Sequence, residues 1–441
     1  MKEKIIYELQ NSYNSQRKIY FLKNKYLKKY SKLPFLKKIT QYSVKRLLKN
    51  INEIAENYNK IFIRKEKEKY NYLFENINGY SLDDAQKDAI IKEPSNLLIV
   101  AGAGSGKTLT LIGKIMYLIE KGVNPNKILC LSFTNESANS LKQSLLKNNL
   151  DIEVMTFHKL GMKILKNNGK HYVVANDTLL NNIVDKHYLD FSFLIKFNSL
   201  DKFGNKTNTP KLIKKELIRN SDIIKNNKKI IVTFINLFKG NGYECSKFRN
   251  IYKSIDKENI VVKKRNKKMV QICEKIYIEY EQNLKLLNQI DFNDMISKAI
   301  KENNFKNYDY ILVDEFQDTS KIRCLLLKKI QEKTNAKIVA VGDDWQSIYH
   351  FTGCTLNAFV NFSKHFADSE VVFLQNTYRN SKELLKLTSD FITKNPIQIK
   401  KKLKSSKSNC KPIKVYYYYD KYNQLLIDVL KSINSKNVLI L

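Results

Sequence analysis

A short apolar run, Asn96-Leu-Leu-Ile-Val100, breaks into the small-residue stretch Ala101-Gly-Ala-Gly-Ser-Gly-Lys-Thr108 and resumes as a stripe of Leu111, Ile112, Ile115, Met116 and Ile119 closed by Gly122. The spacing of the stripe predicts a helix, and the run before it a buried strand. Glycines placed between a strand and a helix let backbone N–H groups converge on an anion at the positive end of the helix, which is how a phosphate-binding loop works. This reading assigns Ala101, Gly102, Ala103, Gly104, Ser105, Gly106 and Lys107 to the phosphates of a nucleotide. Lys107 reaches the terminal phosphates, and the Thr108 hydroxyl is a candidate ligand of Mg2+. Ala101 stands where the usual pattern has its first glycine.

The strand-and-helix rhythm continues. Ile128-Leu-Cys-Leu-Ser-Phe133 reads as a second buried strand, and Tyr310-Ile-Leu-Val313, Lys337-Ile-Val-Ala-Val341 and Val371-Val-Phe-Leu374 as three more. Such alternation predicts an α/β fold with a parallel sheet, whose functional groups belong at the strand ends. The stretch from about 161 to 290 is rich in Lys and Asn, helical in pattern and without that rhythm, so it reads as an inserted domain. The expected organisation is a basic helical extension over 1–78, a nucleotide-binding lobe in two parts over 79–160 and 291–374, the helical insertion over 161–290, and the start of a further lobe over 375–441. The run Asn437-Val-Leu-Ile-Leu441 reads as a strand.

Two of these strand ends carry acids and amides. Val313-Asp-Glu-Phe-Gln-Asp-Thr319 puts adjacent carboxylates at a strand end, where Asp314 would hold the metal and Glu315 would accept a proton from an attacking water. Gly342-Asp-Asp-Trp-Gln-Ser-Ile-Tyr-His-Phe-Thr-Gly353 offers Gln346 as a phosphate-sensing amide and Phe351 as a ring that stacks on a base. The same passage has a second reading, in which Trp345, Tyr349 and Phe351 are interdomain core. Asn376-Thr-Tyr-Arg379 supplies a cation able to neutralise transition-state charge.

Charge bears on the partner. With 78 Lys and Arg against 43 Asp and Glu in 441 residues, the formal charge is +35, which attracts a polyanion. Heavy use of Lys, Asn, Ile and Tyr is also what a low-GC genome produces. From Leu9 to Asn52 there is no acidic residue and a dozen Lys or Arg, interleaved with Tyr, Leu and Ile at loosely helical spacing. That segment is either a DNA-contacting arm or a solvated helical face over the next domain. The six cysteines show no C-x-x-C pair, which argues against a zinc or disulfide framework. No stretch approaches the roughly eighteen apolar residues of a membrane span, so a cytoplasmic, non-membrane protein is expected.

Taken together these segments resemble the UvrD/Rep-like superfamily 1 helicases, from about Asn76 onward, and Gly342-Asp-Asp-Trp-Gln with Asp291-Phe-Asn-Asp-Met295 looks most like the DNA helicase IV branch. The resemblance implies a RecA-like P-loop motor lobe with a partial second RecA-like lobe, and ATP-driven, Mg2+-dependent 3'-5' movement on single-stranded or partly duplex DNA in repair or recombination. It matches Gln86 to an adenine-recognising glutamine, Tyr378 to an adenine-stacking ring, and Gln346 and Arg379 to γ-phosphate contacts. Phe133-Thr134-Asn135 and Thr156-Phe-His158 match segments that hold single-stranded DNA, with Phe133 and Phe351 stacking on bases. Where family members often have Asp-Gln after the Gly-Asp turn, this chain has Trp345-Gln346. Family members also continue for some two hundred residues more, so the second lobe is expected to be incomplete. Three readings follow: a motor helicase, a nucleotide- and DNA-binding protein without translocation, or a subunit whose protein partner supplies the missing lobe.

Overall fold

Six parallel strands place the chemistry. The computed structural model describes residues 1–176, 178–189, 221–348, 353–354, 356–409, 412–413, 415, 417 and 422–432. The strands are β1 (Asn96–Ala101), β2 (Ile128–Ser132), β3 (Glu153–Thr156), β6 (Tyr310–Val313), β7 (Lys337–Gly342) and β8 (Ser369–Leu374); β4 (Val173–Val174) and β5 (Gln289–Ile290) pair separately. The sheet order is β3-β2-β6-β7-β1-β8. Every pairing in it is parallel, with Leu98 beside Ala340 on one side and Val371 on the other. This is the expected parallel α/β sheet. The sequence pattern missed β3, a strand of four residues of which three are only partly buried. Phe351, Tyr349, residues 437–441 and most of 415–419 lie outside the described residues.

The four inner strands β2, β6, β7 and β1 are almost wholly apolar because both their faces are covered. Leu97 and Ile99 pack into one cluster with Leu111, Ile115 and Tyr117; Leu98 and Val100 pack into the other with Leu131, Phe157, Val313, Phe316 and Phe359. Alternation along the strand sends neighbours to opposite layers, so one sheet nucleates two cores.

The helices before the sheet are α1 (Lys2–Gln10), α2 (Gln16–Ser31), α3 (Phe35–Thr40), α4 (Tyr42–Lys49), α5 (Ile51–Lys69), α6 (Asn71–Phe74) and α7 (Asp84–Ile91). Helices α1, α2, α4 and the start of α5 enclose their own core of Ile5, Leu9, Leu22, Tyr26, Val44, Leu48 and Ile51. Along α5 the packing changes hands, since Phe62 and Ile63 pack against the sheet's core, which Tyr70 and Phe74 join just beyond the helix. The bundle is tied to the N-terminal ends of the strands. The Arg17 N–H donates to Asp368, just before β8, and the Tyr13 hydroxyl donates to Glu370.

On the sheet lie α8 (Lys107–Glu120), α9 (Asn135–Leu146) and α10 (Phe157–Asn167). Then α11 (Thr178–Leu189), α12 (Ser221–Gly240), α13 (Lys247–Ile255) and α14 (Ile260–Leu286) form a separate helical body around Ile231, Phe238, Phe248, Cys273 and Ile276. The chain rejoins the sheet through α15 (Phe292–Ile300) and α16 (Lys321–Thr334). The Lys239 ammonium pins α12 to this junction, 2.8 Å from Asp291 and 3.1 Å from Asp294. After β8 the chain crosses the glycine loop, forms α17 (Lys382–Ile392), and returns so that residues 399–404 lie against the sheet's C-terminal edge. Among the described residues no helix is long and apolar enough to cross a membrane.

Candidate nucleotide site and nucleic-acid groove

The loop from Ala101 to Gly106 joins β1 to α8 in the manner its glycines allow. Gly104 and Gly106 adopt φ of 76° and 77°, a region that L side chains rarely enter. Contacts close the loop further: a Cβ on Gly104 would lie 2.3 Å from the Arg379 Cβ, and one on Gly106 would lie 2.4 Å from the Gln86 amide nitrogen. Ser105 is fully buried and its hydroxyl has no hydrogen-bond partner, while Thr108 is exposed on the first turn of α8. An inward-facing cradle with an orphaned hydroxyl suits a ligand rich in acceptor oxygens.

Lys107 meets Glu315 at 2.5 Å, so the two groups read separately from sequence form one ion pair. Glu315 sits at φ 49° and ψ 44°, a left-handed conformation for a residue with a side chain. Its neighbour Asp314 is buried at the end of β6. Burial first, and the Glu315 carboxylate second, push Asp314 up to about 6. A bound divalent cation would supply the charge this pair lacks, and the donor set, one or two carboxylates with a hydroxyl, is what Mg2+ takes when phosphates fill its remaining positions. No group of three or more metal-ligating side chains exists among the described residues.

From Glu315 a chain of hydrogen bonds runs along the sheet edge. The Gln317 amide donates to Glu315 at 2.9 Å, its oxygen accepts from the Asp343 N–H at 2.9 Å, and Asp343 in turn accepts from the Gln346 side chain at 2.6 Å. The sequence contained Gln317 without marking it, because a glutamine's role depends on what its two ends reach. Lys401 is a second residue the sequence left unmarked. It is buried against Asp343, lies 2.7 Å from Asp344, and donates to the Ala101 carbonyl at 2.9 Å. A basic run conceals which of its lysines turns inward.

The residues after β8 close over the loop. Thr377 donates to the Ala103 carbonyl at 2.7 Å, the Tyr378 N–H to Gly104 at 2.9 Å, and the Tyr378 hydroxyl to Asp83 at 2.8 Å. The Tyr378 ring stays 51% exposed and so can stack on a planar base. Arg379 is exposed beside Gly104. Gln86 is almost fully buried and closes a capping box with Asp83, while its amide donates to the Ser105 carbonyl at 3.0 Å. The structure therefore brings Gln86, Lys107, Thr108, Asp314, Glu315, Gln346, Tyr378 and Arg379 to one edge of the sheet.

A groove of about 670 Å³ opens at the C-terminal ends of β2 and β3, lined by Phe133, Thr134, Asn135, Thr156, His158, Lys159, Lys163 and Phe292. Thr134 caps α9 and Thr156 caps α10, so both helix N-termini face the groove. His158 packs against Phe292, 5.3 Å between ring centroids, and Phe292 is 47% exposed. Burial, and then the nearby Arg323 charge, hold the His158 imidazole down at about 4, so the ring is neutral at ordinary pH. The Arg323 guanidinium lies over the Phe133 ring at 4.5 Å. Phe292 was read only as part of the family-bearing segment Asp291-Phe-Asn-Asp-Met295, without a role, and Arg323 was not marked, because nothing local distinguishes an arginine there from a surface residue.

Comparison with known proteins bears on this geometry. The model of the UvrD/REP helicase N-terminal domain matches residues 82–367. The chain is 29% identical over 370 residues to a protein named probable DNA helicase II homolog of Mycoplasma capricolum, covering 80% of this chain and 45% of that one. It is 27% identical over 385 residues to DNA helicase IV of Escherichia coli, covering 81% and 54%, and 29% identical over 351 residues to the ATP-dependent DNA helicase PcrA of Bacillus subtilis, covering 76% and 42%. The chain spans about half the length of the curated relatives it matches. With a glycine loop, a strand-end carboxylate pair and a sheet order that put both on one edge, and with a family match over most of its length, the chain belongs to the UvrD/REP helicase N-terminal domain family.

Proposed function

We propose that this chain binds ATP with Mg2+ at the loop of residues 101–108 and single-stranded DNA in the Phe133–His158 groove, as the first lobe of an ATP-dependent DNA helicase or translocase. One observation carries the reading. The segment Asp314–Arg323 has the nucleotide carboxylates at one end and, at the other, an arginine laid over Phe133 in the groove. A change at the terminal phosphate is therefore a change at one end of a short, mostly buried segment whose other end packs on Phe133, a residue of the groove's lining.

In this mechanism Lys107 leaves Glu315 for the terminal phosphates, which frees the carboxylate to orient a water and accept its proton. Asp314 and Thr108 would hold Mg2+, which when bound would supply positive charge to offset that of the phosphate oxygens. Gln346 senses the γ-phosphate through an amide that rests on Asp343, and Arg379 brings a cation from the chain that crosses the loop. Tyr378 stacks on adenine, and Gln86 reads its edge by exchanging its bond to Ser105. In the groove, Phe133 and Phe292 stack on bases while Asn135 and the two helix N-termini hold phosphate. Phe351 is proposed as a further stacking ring on the strength of the family resemblance, which also supports 3'-5' movement and a role in repair or recombination.

The resting ion pair favours a second reading. Lys107 and Glu315 pair directly, so turnover requires that the two be separated and held apart. A partner that supplies a second lobe is one such means, and the lobe alone would then bind both ligands with little turnover. Steady-state ATP hydrolysis with and without single-stranded DNA, beside Glu315→Gln, tests both. DNA-stimulated turnover that the substitution removes supports a coupled motor. Tight nucleotide binding with turnover no higher than in Glu315→Gln supports the second reading, and no nucleotide binding at all defeats both.

A further inference from the structure

The N-terminal bundle lies outside residues 82–367, the span matched by the helicase family, and a motor lobe does not account for its surface. From Leu9 to Asn52 it holds twelve Lys or Arg and no carboxylate, where the whole-chain ratio of 43 in 441 would place about four. Low-GC codon usage explains lysine and tyrosine; it does not explain this absence, because the Asp and Glu codons are themselves rich in A and T.

The fold shows which of these cations it uses. Lys18 turns inward to the Glu8 carbonyl and the Asn14 side chain, and Lys25 pairs with Glu8 at 3.1 Å. Helix α2 buries Ile19, Leu22 and Tyr26, so the opposite stripe, Arg17, Tyr20, Phe21, Asn24 and Lys28, faces outward. Lys29 and Lys32 flank it, both exposed. Tyr20 is 70% and Phe21 64% exposed, side by side on a helix whose apolar needs are already met on its other face. Beside Tyr20 a groove of about 860 Å³ runs between α2 and α5, walled by Lys23, Asn59 and Lys60 and by the carboxylates of Glu56 and Glu370.

We infer that the outward face of α2 is a second nucleic-acid site that takes a single strand, with bases stacked on Tyr20 and Phe21 and phosphates held by Arg17, Lys28, Lys29 and Lys32. A single strand fits better than a duplex because only unpaired bases offer their faces to exposed rings. A lipid surface fits poorly, since Arg17, Asn24 and Lys28 interrupt what would have to be a continuous apolar stripe. The site is distinct from the Phe133–His158 groove. The bundle is fastened at the N-terminal ends of the strands and the groove opens at their C-terminal ends, about 20 Å away for a strand of six residues.

The test is binding of a labelled oligothymidylate, of a duplex of the same length and of phosphatidylserine vesicles by the full chain across a salt series, for Tyr20→Ala/Phe21→Ala, for Lys28→Gln/Lys29→Gln/Lys32→Gln, and for each combined with Phe133→Ala/Phe292→Ala. Helical content and affinity for a fluorescent nucleotide analogue report that each variant is folded. The aromatic variant is expected to bind the single strand about tenfold more weakly. The lysine variant should lower the slope of log affinity against log salt by about 2, three contacts at roughly 0.7 each. Both losses should persist in the groove-variant background. Unchanged affinity and slope in both α2 variants overturn the inference. So does a preference for duplex that the aromatic variant leaves intact, or a loss confined to phosphatidylserine vesicles. If the groove variant alone binds normally while the α2 variants fail, the inference stands and the groove assignment falls.

Discussion

His158 shows how position sets the state of a side chain. In the unfolded chain an imidazole titrates near 6.5, whereas in the groove burial and Arg323 hold it at about 4, so the fold favours the neutral ring. A depressed histidine contributes stability that is present above about 6.5 and is lost as pH falls towards 4, because the unfolded chain takes up the proton first. Denaturant unfolding midpoints are therefore expected to fall from pH 6.5 to 4, and to fall less steeply in His158→Asn. An identical pH dependence in the two proteins would show that the ring is not held neutral by the fold. The local sequence Thr156-Phe-His158 marks this residue only through family likeness, since the charge that depresses it comes from Arg323, 165 positions further along the chain.

At the scale of elements, the least expected feature is the return of residues 399–404 to the sheet. The Ile399 N–H donates to Asp344 at 2.7 Å, the Trp345 indole donates to the Ile399 carbonyl at 3.0 Å, and Lys404 bonds to Gln375. Lys401 sits at the centre, with both acids of the Gly342-Asp-Asp turn around its ammonium and the Trp345 ring 4.8 Å away. Removing one member of such a buried cluster leaves uncompensated charge, which costs about 3–5 kcal/mol. Lys401→Met is expected to lower the thermal midpoint by several degrees and to open the 395–405 region to protease. The triple change Lys401→Met/Asp343→Asn/Asp344→Asn should restore much of the loss. Equal damage in the single and triple variants would show that packing, not charge, holds the segment.

For the whole molecule, three bodies (the two-layered sheet, the insertion and the bundle) imply three levels of protection. The sheet is covered on both faces, the helical insertion closes around Phe238 and Phe248, and the N-terminal bundle has a small core of its own. Small cores bury less apolar surface per residue and open at lower free energy. Amide exchange is expected to release α1 to α4 together and well before β1, β6 and β7, with α5 divided near Phe62. Uniform protection across the bundle and the sheet would mean that the links at Tyr13 and Arg17 make one cooperative unit.

Five of the six sheet strands, the glycine loop, the carboxylate pair and the helical character of the insertion were legible in the sequence, because each is written in local pattern: apolar runs of strand length, small residues at a turn, apolar spacing of 3.6. Local pattern carries no distances. Tertiary structure alone brought Lys107 to Glu315, turned Gln317 into a link between two strand ends, chose Lys401 from among its basic neighbours to be buried, and laid Arg323 across Phe133. The order of strands in the sheet sets residues from 26 to 208 positions apart side by side in these contacts, and no stretch of the chain encodes that order by itself.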